Sequence, residues 1–183
     1  MNCYRSLAAN EAYRLVGHGP LVLVSTRSQR GRYDIAPVAW NCAVNDDPTR
    51  LLVVVDKNHA TAANIRKQKS FIVSVPHVSQ ARLVKEAGSV SGKKADKFHT
   101  FGIDAFGGQK VDALIPAGCV GYVECRLIKT LRVEFVDIFV GEYLAAGAET
   151  TAFGKRLFAE KAAGKTLHHL GGRRFAIPGD RIL

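Results

Sequence analysis

The run Asp34-Ile35-Ala36-Pro37-Val38-Ala39-Trp40-Asn41-Cys42 decides the reading of this chain. It is followed by the turn residues Asn45-Asp46-Asp47-Pro48, an apolar run at 51–55, and Lys57-Asn58-His59-Ala60-Thr61-Ala62-Ala63-Asn64-Ile65. Two short strands flank a turn, and the second strand feeds a helix. The first turn of a helix leaves backbone N–H groups without intrahelical partners and carries about half a positive charge. Beside Lys57, Thr61 and Asn64, that start is suited to an anion, so the stretch reads as a pocket for a flat, phosphorylated ligand.

Working outward, 183 residues with 47% hydrophobic composition are enough for one domain with a substantial core and too few for two ordinary ones, so a single domain over 1–183 is expected. The longest apolar runs, such as 51–55 and 21–24, fall far below the roughly 20 residues that span a bilayer, which predicts no membrane crossing. The apolar run at 7–9 is broken by Asn10 and Glu11 and lacks the core of a secretory signal, so a cytoplasmic protein is expected. The four cysteines form no C-x-x-C pair. Neither a zinc site nor a disulfide framework is suggested; Cys119 and Cys125 read as core thiols, and Cys42 lies in the proposed pocket with packing favoured over redox chemistry. The net charge of +10 is spread over separate clusters at 66–69, 93–97 and 173–174. Such scatter is a solvated basic surface, or a field that concentrates polyanionic small molecules, rather than a nucleic-acid footprint.

The hydrophobic period switches along the chain. Residues 10–16 read as a short helix ended by Gly17-His18-Gly19-Pro20, then a strand at 21–26 and a polar loop at 27–33 with Gly31. Strands follow at 35–44 and 51–55, a helix at 60–69, a strand at 71–75 that Pro76 ends, and helices at 79–87 and near 95–101. After a Gly- and Asp-rich loop come long strands at 119–128 and 133–144, the second with Gly141 as a bulge or close backbone approach. Phe153, Leu157 and Phe158 repeat at helical spacing over 150–163, and 167–177 forms a last extended segment. Strands in antiparallel-sized loops, with helices inserted rather than alternating, argue for a barrel with helices outside it.

Familiar catalytic signatures fail. Gly17-His18-Gly19 precedes a strand instead of following one and has Val22 at the sixth position, so it is no dinucleotide fingerprint. Gly88-Ser89-Val90-Ser91-Gly92-Lys93-Lys94 has three residues between its glycines instead of four, and Lys94 where a P-loop has Ser or Thr. There is no nucleophile elbow or H-E-x-x-H pair, and His168-His169 would face opposite sides of a strand. Trp40 has a core reading, Thr61 a helix-start reading, Lys97 a solvated-lysine reading, and His59 a surface reading beside any functional one.

Taken in order, Ile35-Ala36-Pro37 to Trp40, Asp46-Asp47-Pro48, His59-Ala60-Thr61-Ala62-Ala63-Asn64-Ile65, Phe71-Ile72-Val73-Ser74-Val75-Pro76 and Ser91-Gly92-Lys93-Lys94-Ala95-Asp96-Lys97-Phe98 resemble the flavin reductase domain of the FMN-binding split-barrel superfamily, its flavoredoxin branch in particular. Val123-Glu124-Cys125, Phe139-Val140-Gly141-Glu142 and Gly171-Gly172-Arg173-Arg174-Phe175 extend the likeness to about 150 residues.

The resemblance implies a mainly β fold with flanking helices, a six-stranded antiparallel split β-barrel, in a homodimer with one FMN per subunit near the interface. Carried over by position, Trp40 lies against the ring edge and the backbone of Val38, Ala39, Trp40, Asn41 and Cys42 meets its pyrimidine end. Thr61, with Lys57 and Asn64, sits at the phosphate, Lys97 is a further flavin contact, and Phe175 covers the ring. FMN carries the redox chemistry, so no catalytic residue or metal is expected. A positive Lys97 near the ring would raise the flavin potential. Two departures are visible: Asp34 where relatives often have Asn, and Val136-Asp137 where many have His, both on the flavin or nicotinamide side. The implied function is reduction of FMN by NADH or NADPH, with electrons passed to a second acceptor or a partner oxygenase. The alternative is a non-catalytic split barrel that holds FMN or another planar cofactor for storage or sensing.

Overall fold

Strand order governs the architecture. The computed structural model describes residues 4–12, 19–172 and 174–179, and within them one sheet runs β3-β2-β6-β9-β10-β5-β4, with β1 added on β10. These strands are β1 Tyr4–Ser6, β2 Val22–Arg27, β3 Tyr33–Val38, β4 Asn41–Asp46, β5 Thr49–Asp56, β6 Ser70–Val75, β9 Gly121–Val133 and β10 Val136–Glu149. Every pairing is antiparallel. The two end strands, β3 and β4, are consecutive in the chain and joined only by Ala39 and Trp40. The sheet must therefore curl until its ends meet, closed by the chain and not by a ladder: a split barrel.

The sheet has eight strands where six are expected. One addition is β1, too short to read from sequence, whose Tyr4 pairs with Glu149. The other comes from residues 35–44, expected as one strand and broken at the Ala39–Trp40 corner, where the Asn41 side-chain amide donates to the Pro20 carbonyl at 2.9 Å. Pro37, which has no N–H, sits where an end strand tolerates it.

Alternation along each strand sorts residues between two clusters. Val22 and Val24 face the barrel interior with Val53, Phe71, Val73, Val123, Cys125 and Phe139, while Leu21, Leu23 and Ile35 face outward onto Val84 and Ala87. Each fully buried side chain of the size of Phe139 contributes roughly 1.5–3 kcal/mol. Cys119 and Cys125 are buried as expected. Gly141 lies at a register shift, and a Cβ there would stand 2.6 Å from the Phe71 ring, so a close approach requires glycine. Glu124, fully buried, accepts the backbone N–H groups of Gln109, Lys110 and Val111 at 2.7–2.9 Å and pins that loop to β9.

Four helices are described: α1 Ala9–Ala12, α2 Ala60–Gln68, α3 Ala81–Ser89 and α4 Lys97–Thr100. The rest of the helix expected at 10–16, with Gly17, His18, Cys3 and Arg173, lies outside the described residues. Helix α2 adds Ala62 and Ile65 to the barrel cluster and ends at Lys69, which is left-handed (φ 59°) and donates to the Ile65 carbonyl. The helix expected over 150–163 does not form. Turns and a 3₁₀ turn at Ala162–Gly164 replace it, and Phe153 and Leu157 reach the barrel core from a folded loop. Phe158 packs over Gly154, where a Cβ would stand 2.7 Å from its ring. Two small hairpins complete the chain, β7 Ala105–Gly107 with β8 Leu114–Pro116, and β11 His168–Gly171 with β12 Arg174–Ala176. No described helix is long and apolar enough to cross a membrane.

Candidate functional site

Strand β3 has one neighbour in the sheet, and helices α2, α3 and α4 pack against it. The close approach of α3 depends on Gly88, where a Cβ would lie 3.0 Å from Pro37 Cγ. Between β3, the start of α2, the end of α3 and the loop after it runs a cleft of three adjoining compartments that share lining residues, each about 250–320 Å³. Together they fall in the range of roughly 300–1,000 Å³ that holds small-molecule ligands.

One end is cationic. The β2–β3 turn, made possible by Gly31 at φ 82°, presents Arg30 and Arg32; Lys67 comes from α2 and Lys93 from the next loop. Three segments are laced together there: Arg32 donates to the Lys93 carbonyl at 3.3 Å, and Lys93 Nζ to the Asn58 carbonyl at 2.7 Å. Helix α2 starts where this end meets the middle compartment: His59, Ala60 and Thr61 line the middle, and Ala60, Ala63 and Asn64 this end. His59, its N-cap residue, is extended and caps no backbone N–H with its side chain, so the first-turn donors keep their anion affinity.

The middle compartment is lined by Ala36, Pro37, Thr61, the 88–92 loop, Asp34 and Lys97. Asp34 and Lys97 are 3–4% exposed. Lys97 Nζ donates to the Ile35 carbonyl at 2.6 Å and stands 3.1 Å from Asp34 Oδ1. Neither Asp34 oxygen accepts a hydrogen bond of good geometry. Gly92 passes so close that a Cβ would lie 2.2–2.4 Å from the Asp34 carboxylate.

The far end is apolar. Leu21, Pro37, Ala39, Val84 and Phe175 line it, with Lys85 and His169 at its rim. The His169 and Phe175 rings lie 5.9 Å apart, and Lys85 Nζ stands 6.0 Å from the Phe175 centroid. Burial holds His168, on the same strand as His169, below its usual pKa.

Of the residues singled out in the sequence, the cleft gathers Ala39, Thr61, Asn64, Lys97 and Phe175. Thr61 is buried, and Asn64 donates to Thr26 Oγ1 at 3.0 Å. Lys57 instead donates to the Glu134 carbonyl at 3.0 Å. Val38 is buried in the barrel cluster, and Asn41 holds the corner. Trp40, 61% exposed, and Cys42 lie on the outer face of β4 and its corner. Lys97 is not a solvated lysine but the cationic half of a buried pair, so its charge does not stand alone in the cleft. Asp137 is also away from the cleft: it pairs with Arg66 and so ties β10 to α2.

Sequence reading put Asp34 on the flavin or nicotinamide side only as a departure from the family pattern, not as a binding residue, and missed Arg30, Arg32, Lys67 and Lys93. Two arginines flanking a turn glycine just ahead of β3 were the available signal. The glycines of the failed P-loop resemblance have a different use, the close approaches of Gly88 to Pro37 and Gly92 to Asp34.

Comparison with known proteins identifies the family and the fold. The family model described as flavin reductase like domain matches residues 17–170. An uncharacterized protein of Escherichia coli (strain K12), YddH, is 33% identical over 187 residues, covering 100% of this chain and 98% of that protein. The crystal structure of an FMN-binding domain of a flavin reductases-like enzyme from Shewanella baltica OS155 superposes with a TM-score of 0.91 at 32% identity, covering 100% of this chain and 97% of the other. Flavoredoxin from Methanosarcina acetivorans gives a TM-score of 0.78 at 28% identity over 88% of this chain and 86% of that one.

Proposed function

The chain belongs to the flavin reductase like domain family, and from that premise we propose that it is an FMN-binding oxidoreductase that takes electrons from NADH or NADPH and passes them to a second acceptor. One observation carries the reading: the cleft runs from a cationic end at a helix start, through a polar middle, to an apolar end capped by an aromatic ring. Phosphate, ribityl chain and isoalloxazine follow the same order in FMN. Arg30, Arg32, Lys67, Lys93 and the first turn of α2 would hold the phosphate by charge-assisted hydrogen bonds. Leu21, Pro37, Val84 and Phe175 would exclude water from one side of the ring.

When bound, FMN supplies the hydride and single-electron chemistry, so the chain's task is to bind and orient. The Asp34–Lys97 pair keeps the middle of the cleft close to neutral, so Lys97 does not raise the flavin potential as a lone cation would. Asp137 pairs with Arg66 and anchors α2, a structural use for that departure from the family pattern.

A homodimer belongs to the same proposal. Register places Trp40 opposite Val54, Val54 beside Ile138, and Ile138 beside Leu131, one outward row across β4, β5, β10 and β9. Cys42, Leu52 and Val140 form the next row, which ends at Lys129 on β9. With Leu131, Val133 and Phe135 each more than 40% exposed, this is a continuous apolar face of the kind a subunit interface covers. Such a contact would also shield Cys42.

The experiment is to purify the protein, record its visible spectrum and measure released FMN per chain, then mix the FMN form with NADH and NADPH in a stopped-flow instrument. FMN at one per chain that bleaches faster than free flavin is expected. A protein that neither carries nor takes up FMN contradicts the reading.

A further inference from the structure

The buried carboxylate in the middle of the cleft has no role in the anion-binding argument, and at first sight opposes it. Its placement is specific. Asp34 lines both the cationic and the middle compartments, and so stands where the two join. It is almost fully buried; the Lys97 ammonium stands 3.1 Å from its Oδ1 without hydrogen-bond geometry, and its Oδ2 has no donor. The Lys97 ammonium balances its charge while donating one of its three N–H groups to the Ile35 carbonyl at 2.6 Å. A buried acceptor without a donor is costly, and an ionised one more so, so buried polar groups in folded proteins nearly always find partners. Gly92 presses its backbone to the carboxylate and holds it in place.

Resting on the FMN reading, we infer that Asp34 is a ligand-binding residue that accepts hydrogen bonds from the hydroxyl groups of the polyol chain linking ring to phosphate. Three features select a polyol over other donors. An ion pair makes this part of the cleft neutral overall, which suits an uncharged segment between an anionic and an aromatic one. Cations for the phosphate lie on one side, at Arg30, Arg32 and Lys67. The apolar lining for the ring lies on the other, around Phe175. A carboxylate accepts through several lone pairs and donates nothing, so adjacent hydroxyls can both be bound, while a chain without hydroxyls leaves the buried charge unanswered.

The test is a ligand series titrated by flavin fluorescence against the wild type, Asp34→Ala and Asp34→Asn. The series is FMN, riboflavin, lumiflavin, which has no polyol, and a flavin phosphate whose chain carries hydrogens in place of hydroxyls. Asp34→Ala should weaken FMN and riboflavin by about tenfold or more and lumiflavin by less than about threefold, from the strength of hydrogen bonds to charged groups. Asp34→Asn, which keeps one acceptor oxygen, should recover part of that loss. Independently of any variant, the wild type should prefer FMN to the deoxygenated phosphate by about tenfold or more. Equal binding of those two phosphates, or equal loss of lumiflavin and riboflavin in Asp34→Ala, overturns the assignment and leaves FMN binding intact. A wild type that binds none of the four overturns the functional reading, and this assignment with it.

Discussion

Replacing Lys97 by Met tests whether the floor of the cleft is a mutually dependent ion pair, and needs no ligand. Lys97 is 3% exposed, its Nζ is 3.1 Å from Asp34 Oδ1, and its side chain spans from α4 to the β3 carbonyl of Ile35. Methionine fills much of the same volume but leaves Asp34 buried and uncompensated. Removing one partner of a buried pair costs about 3–5 kcal/mol, whereas replacing both by neutral groups is often close to neutral. Against a total stability of roughly 5–15 kcal/mol that is a large fraction. At about 2–4 °C per kcal/mol for a chain of this size it lowers Tm by about 6–20 °C. The double variant Lys97→Met/Asp34→Asn should regain most of the loss. Urea and thermal unfolding of the four proteins close a double-mutant cycle. A single-variant cost below about 1 kcal/mol, the worth of an exposed pair, or additive effects of the two changes would refute the buried-pair account.

The remaining predictions concern the phosphate end, the outer face and pH. Arg30→Ala combined with Lys67→Ala should weaken FMN by about tenfold and leave riboflavin within about twofold, with FMN affinity of the wild type falling as salt rises; parallel fluorescence titrations decide it. Trp40→Glu puts a charge into the apolar row across β4, β5, β10 and β9; sedimentation equilibrium should find a dimer for the wild type and a monomer for the variant. Burial pushes the Cys119 thiol up to about 12 and also raises Cys125, Tyr4, Tyr122 and Tyr143. For each of these groups the folded value lies above the unfolded one. Their stability contribution is therefore complete below about pH 8.5–10 and lost as pH rises beyond it. His168, lowered by burial, acts in the other direction, its contribution lost as pH falls below about 6.5. Tm should thus decline on both sides of neutrality, and a flat profile from pH 7 to 11 would contradict the burial of these groups.

What sequence could show depended on how local the signal was. Alternation at Leu21, Val22, Leu23 and Val24 and at 71–75 is a property of neighbouring residues and carried over to the strands as read. The helix after Lys57 was legible from its small residues and the preceding strand. Long-range facts were not. The Asp34–Lys97 pair joins residues far apart in the chain, so Asp34 could be seen only as a departure from the family pattern. The direction of Lys57 depends on the β9–β10 turn, whose Glu134 carbonyl captures it. Residues 150–163 carry helical spacing, but two of the periodic side chains are absorbed by the barrel core across a loop, and tertiary packing overrides the local pattern. The corner at Ala39–Trp40 arises because a closed sheet must turn there, which no local preference announces.

In the proposed complex the cleft along β3 seats FMN lengthwise, phosphate toward α2 and ring toward Phe175. A crystal structure of the FMN complex tests it most directly. The account predicts one FMN per chain, its phosphate within hydrogen-bond reach of the α2 first turn and the Arg30, Arg32 and Lys67 side chains, and its ring against Pro37, Val84 and Phe175. An FMN bound in the opposite direction, or bound elsewhere with this cleft closed by protein side chains, would contradict it.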